Sequence, residues 1–95
     1  MPATLAPPED AVFDPLSFQA TDVTGMHELD FDGMDGHRLV KDVAMSVAGA
    51  MDLDLTAPYG LRDDGRARML RDEQPLGAQI QPGSRLVVIP KSHLG

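Results

Sequence analysis

Ile80-Gln81-Pro82-Gly83-Ser84-Arg85-Leu86-Val87-Val88-Ile89-Pro90-Lys91-Ser92-His93-Leu94-Gly95 is the stretch on which the fold turns. Pro82-Gly83 is a turn signal, and Arg85 to Ile89 is a short strand, apolar on both faces. Such a strand belongs inside a sheet rather than at its edge. It runs out into a polar stub, residues 90–95, that stops on glycine. Glycine has no Cβ, so it threads narrow channels and leaves its carbonyl open to a nucleophile. Two readings stand open here. With nine glycines in 95 residues the last one can be incidental, or the terminal carboxylate is the reactive group.

Upstream of that strand, Glu73 to Gly83 is a connector in which Leu76 and Ile80 read as buried. Before it, Tyr59 to Arg62 and Arg68 to Leu70 read as two short strands around an Asp64-Gly65 turn. Residues 37–51 carry the clearest helical signal. Val40, Val43, Val47 and Met51 recur at helical spacing, Leu39 and Ala44 widen the stripe, and Asp35 is the expected N-cap. Earlier still, Leu16, Phe18 and Ala20 alternate with Ser17, Gln19 and Thr21, and Leu29 and Phe31 alternate with Glu28, Asp30 and Asp32. That is a hairpin turned at Thr24-Gly25. The order strand, strand, helix, strand, strand, connector, strand predicts a layered α+β domain whose last strand lies parallel to its first. Residues 1–15, rich in proline and acid, read as a flexible arm outside it.

Ninety-five residues make one small domain, and with only three Phe, one Tyr and no Trp its core is built mostly of Leu, Val, Ile and Met. Cysteine is absent, which excludes disulfides, thiolate metal sites and a cysteine nucleophile, and fits a cytoplasmic protein. No apolar run reaches membrane-spanning length, and no secretion signal is apparent. The net charge is −7, unevenly spread. Residues 60–95 hold six basic side chains (Arg62, Arg66, Arg68, Arg71, Arg85, Lys91) against four acidic ones, whereas residues 1–59 hold two against eleven. An acidic body without aromatic–basic stacking argues against nucleic acid, and the polarised field suits a protein partner. Asp30 to Gly36 glances at a calcium loop, but Met34 takes a ligand position and Lys41 the place of the bidentate glutamate. His27, His37 and His93 fall at no metal-ligand spacing. Neither a metal site nor an enzyme is expected.

Residues 16–95 resemble the ubiquitin-like β-grasp family. Leu16, Phe18 and Ala20 match the inward positions of ubiquitin's first strand, Val23-Thr24-Gly25 its hairpin tip, and Val40, Val43 and Val47 its inward helix positions. Asp64-Gly65-Arg66 resembles the turn before its short fourth strand. From Ile80 to Gly95 the two chains align without a gap, so Gly95 falls on the glycine that ubiquitin uses for conjugation. The resemblance implies a β-grasp roll over 16–89, ββαββ, connector and β, with a mixed sheet on one helix and an extended tail over 90–95. It also implies a protein modifier activated at Gly95 by an enzyme that uses ATP. The chain itself then has no cofactor. Its partners would be an activating enzyme, a conjugating enzyme, a JAB-type peptidase and a target protein, with the modifier itself a monomer.

Three departures from ubiquitin sharpen this implication. Leu94 replaces the penultimate glycine. Pro90-Lys91-Ser92-His93 replaces a leucine- and arginine-rich run. Val23 and Ile89 keep two corners of ubiquitin's exposed apolar patch, but Arg62 stands at its centre. These departures point to dedicated machinery, and the nearest match is with the ubiquitin-like modifiers of bacterial conjugation operons. Two alternatives stay open. A non-covalent adaptor would use a surface centred on Arg62, Arg66 and Arg68. A sulfur carrier would end in Gly-Gly, which this chain does not.

Overall fold

A computed structural model of the chain describes residues 14–91. The expected arm up to Phe13, and the tail residues Ser92, His93, Leu94 and Gly95, lie outside the described residues. Five strands and one helix follow in the order β1 (Leu16–Asp22), β2 (Glu28–Met34), α1 (Val40–Ala50), β3 (Tyr59–Asp63), β4 (Arg68–Met69) and β5 (Ser84–Pro90). A 3-10 turn over Leu76–Ala78 interrupts the connector. The strands form one mixed sheet in the order β2-β1-β5-β3-β4. β5 therefore sits in the middle, parallel to β1 with Ala20 opposite Leu86, and antiparallel to β3 with Leu61 opposite Val88.

Alternation decides which face is buried. Leu16, Phe18 and Ala20 on β1, Leu61 on β3, and Leu86 and Val88 on β5 all turn toward the helix. They meet Val40, Val43, Ala44 and Val47, the stripe of α1, and Met51 at its C-terminal cap, and Leu76 and Ile80 close the core from the connector. Phe18 and Phe31 stack with ring centroids 5.2 Å apart. The β1–β2 register slips between Leu16 and Phe18, where Gly33 takes φ +75° to form a bulge. A side chain there would be strained. β5 takes the central place that its apolar run predicts, with Val87 and Ile89 half-buried on the outer face. One expectation about the core needs correction: not every methionine fills it, because Met26 is 83% exposed.

The helix starts at Val40 rather than at residue 37, and Asp35 does not cap it. The Asp35 carboxylate instead accepts the His37 backbone N–H at 2.9 Å and lies 2.8 Å from the His37 ring Nδ1. This closes a side-chain turn before the helix. The first N–H groups of α1 find backbone partners far along the chain: Val40 donates to the Gln74 carbonyl at 3.0 Å and Lys41 to that of Asp72 at 3.1 Å. The connector thus caps the helix, which no local sequence signal could announce. Gln79 holds the connector in turn. Its side-chain oxygen accepts the Arg71 N–H at 2.7 Å, and its amide donates to the Arg71 carbonyl at 3.0 Å.

Candidate functional site

The β1–β2 tip and the far end of β5 lie at the same end of the sheet, because Asp22 pairs with Val88. Val23 follows at the tip, one residue past that pair, and is 49% exposed. Arg62 pairs with Val87 on the neighbouring strand, so it shares the outer face with Ile89. Of the residues expected to form a partner surface, Ile89 and Arg62 therefore share one face, and Val23 lies at the hairpin tip at the same end of the sheet as Ile89. Arg62 is held by an ion pair with Asp64 at 2.8 Å. Arg66 stands apart in the β3–β4 turn, 4.0 Å from Asp63. Arg68 pairs in register with Asp63, one residue on from Arg62, and so turns to the helix side of the sheet. The arginines that look contiguous in sequence are divided between two faces.

The hairpin tip is shaped by one carboxylate. Asp22 is 7% exposed and accepts the Thr24 hydroxyl at 2.9 Å and the His27 backbone N–H at 3.3 Å, with the His27 ring at 2.9 Å. Burial pushes its pKa up. Hydrogen bonds from the His27 ring, Thr24 and the His27 backbone, with charge on His27, outweigh that effect and hold it at about 2, below the ordinary 3.8. A depressed carboxylate stabilises the fold fully above its unfolded value. That contribution is lost as pH falls from 3.8 through about 2. Because His27 is half-open to water we expect Asp22→Ala to cost about 1–2 kcal/mol at pH 6. The gap between variant and wild type in urea unfolding should close as pH falls below 3. An equal gap at pH 5 and pH 2.5 would show that the charge of Asp22 does not hold the tip.

Beyond Ile89 the chain passes through Pro90 to Lys91, where the tail begins. The Lys91 N–H donates to the Pro58 carbonyl at 2.9 Å, and its ammonium pairs with Asp72. Beside this root lies an open groove of about 430 Å³ whose walls include Lys41, Met45, Leu55, Tyr59, Asp72 and Glu73. Lys41 and Glu73 pair across it at 3.1 Å, and Leu55 is 51% exposed. Sequence reasoning did not find this groove, because its walls come from the helix, the loop before β3, the connector and the tail root. Gly60 is buried close to the Lys91 and Asp72 side chains. A Cβ there would sit 3.1 Å from the Met69 methyl and 3.6 Å from Lys91.

Among the described residues no cluster of three or more His, Asp or Glu side chains is set to hold a metal ion. The acids of the calcium-like stretch point to separate partners, with Asp32 accepting from Ser17 at 2.6 Å and Asp35 bound to His37. No helix of the described residues is long and apolar enough to cross a membrane.

No protein-family model matches the chain, and no curated protein sequence matches it. Solved structures do. The ubiquitin of Caldiarchaeum subterraneum superposes with a TM-score of 0.64 at 18% identity, covering 80% of this chain and 92% of its own. The ubiquitin-like domain of Plasmodium falciparum Dsk2 gives 0.62 at 14% identity, covering 80% and 97%. A ubiquitin-like domain from Arabidopsis thaliana gives 0.62 at 14% identity over 96% and 93%. At such identities the likeness speaks for the fold alone. The mixed five-stranded sheet on one helix is a ubiquitin-like β-grasp.

Proposed function

We propose that this chain is a protein modifier of the kind found in bacterial conjugation operons, activated at Gly95 and working in the cytoplasm. The observation that carries this reading is the tail root. The central strand of a ubiquitin-like sheet runs out to Pro90, and Lys91 directly after it is tied to Pro58 and Asp72. The remaining residues, Ser92, His93, Leu94 and Gly95, follow from a fixed point beside the apolar groove and the Val23–Ile89 corner. An activating enzyme would read that surface while taking the tail into its own site.

The chemistry asks little of the modifier. The Gly95 carboxylate attacks the α-phosphate of ATP, pyrophosphate leaves, and an acyl-adenylate forms. An enzyme cysteine thiolate then attacks the acyl carbon and AMP leaves. A target amine finally displaces the thiolate, with a conjugating enzyme between and a JAB-type peptidase reversing the bond. With no cysteine in the chain, no thiol of its own competes for the acyl group. Leu94 beside Gly95 suits an activating enzyme with a wider channel than one built for Gly-Gly.

Incubation of the intact chain with the activating enzyme of its own genome and ATP should give an adduct in intact-mass analysis that thiol reductants remove. Absence of any adduct, with stable non-covalent complexes in its place, would favour the adaptor reading.

A further inference from the structure

The basic residues of the C-terminal third do not share one fate. All four acids of residues 60–95 are already engaged. Asp64 holds Arg62, Glu73 holds Lys41 and Asp72 holds Lys91. Asp63, 4% exposed, accepts the backbone N–H groups of Gly65 and Arg66 and faces Arg66. Arg68 and Arg71 are left with no acidic partner among the described residues, in a protein whose net charge is −7. They line the same cleft, of about 300 Å³, between β4 and the 3-10 turn, with Met69, Gln74, Ala78 and Gln79. Its wall is fixed, because Gln79 clamps the backbone of Arg71 from both sides and reaches the Gln74 and Pro75 carbonyls at 3.4 Å. Among the described residues β4 is also an edge strand, with no neighbouring strand on its outward side.

We infer that the Arg68–Arg71 cleft binds an acidic, extended segment of a partner protein, laid along the β4 edge. Guanidinium forks match carboxylates in bidentate geometry. In an extended peptide every second side chain faces the same way, so alternating acids bring their charges to one side. A nucleic acid fits less well, because its continuous phosphates would also run over the rest of a protein whose net charge is −7. Arg85 supplies the contrast. It too lacks an ion pair among the described residues, but it lies on the outer face among Glu28 and Asp64, where an anion is repelled. The inference does not depend on activation of Gly95.

The test uses the full chain and a fluorescein-labelled octapeptide of alternating glutamate and valine. We expect saturable binding that weakens with salt, with amide shifts centred on residues 68–79. Arg68→Glu/Arg71→Glu should weaken binding at least about tenfold, and Arg68→Gln/Arg71→Gln should weaken it as well with unchanged amide dispersion. Arg85→Glu and deletion of Gly95 should leave it unchanged. No binding by the wild-type chain, equal loss in Arg85→Glu, or shifts spread over the whole surface would overturn the inference. So would tighter binding of a single-stranded RNA octamer than of the peptide.

Discussion

Leu61→Ala is expected to remove about 3–4 kcal/mol of folding free energy, a loss at the upper end of what truncating one aliphatic side chain in this core can cause. Leu61 is fully buried on β3, opposite Val88 of the central strand and beneath α1. Truncation removes three methyl or methine groups from contact and leaves a cavity. The rigid sheet on one side and the helix on the other restrict how far that cavity can close. A domain of this size holds roughly 4–12 kcal/mol in total, so the variant would lose a large share of its margin. The urea midpoint should fall accordingly with an unchanged slope. Val23→Ala, at an exposed position, should change the stability by less than about 0.5 kcal/mol. Similar shifts in the two variants would contradict the assignment of the core to the helix side of the sheet.

Deletion of Gly95 should abolish the thiol-sensitive adduct with the activating enzyme while leaving the urea midpoint unchanged. The two readouts separate because, among the described residues, the buried core runs from Leu16 to Val88. Without Gly95 the chain ends on Leu94, whose branched side chain crowds its own carboxylate. The reacting carbon is also displaced by one residue from the fixed point at Lys91. Near-attack geometry tolerates much smaller errors than a residue's length, so the loss should exceed about a hundredfold. Full adduct formation by the deleted chain would mean that a carboxylate other than that of Gly95 supplies the acyl group, and the reading that rests on Gly95 would fail.

Much of the architecture was legible because each element carries a period that the core enforces. Phe18 and Ala20 fix the face of β1, Val40, Val43 and Val47 fix the face of α1, and Leu86 and Val88 require a central position for β5. Contacts made at long range were not legible. The helix start depends on carbonyls of Asp72 and Gln74 that lie some thirty residues downstream, so the local cap signal at Asp35 points to the wrong start. The surface was harder still. Arg62 and Arg68 are close in sequence, but strand alternation sends them to opposite faces. Arg71, absent from the expected partner surface, joins Arg68 only because the connector folds back along β4. No local pattern distinguishes an arginine neutralised by Asp64 from one left without an acid. The groove at the tail root shares that difficulty, since its walls are brought together only by the folded chain.

The central claim is that Gly95 becomes covalently joined to other proteins, and trypsin offers a direct reading of it. Cleavage after Lys91 would leave Ser92-His93-Leu94-Gly95 attached to the modified side chain of a target. Mass spectrometry of tryptic peptides from cells carrying the chain with its activating and conjugating enzymes should find that remnant on target side chains, and should lose it when Gly95 is deleted. Abundant recovery of the chain with partner proteins, free of any such remnant and indifferent to Gly95, would contradict the account.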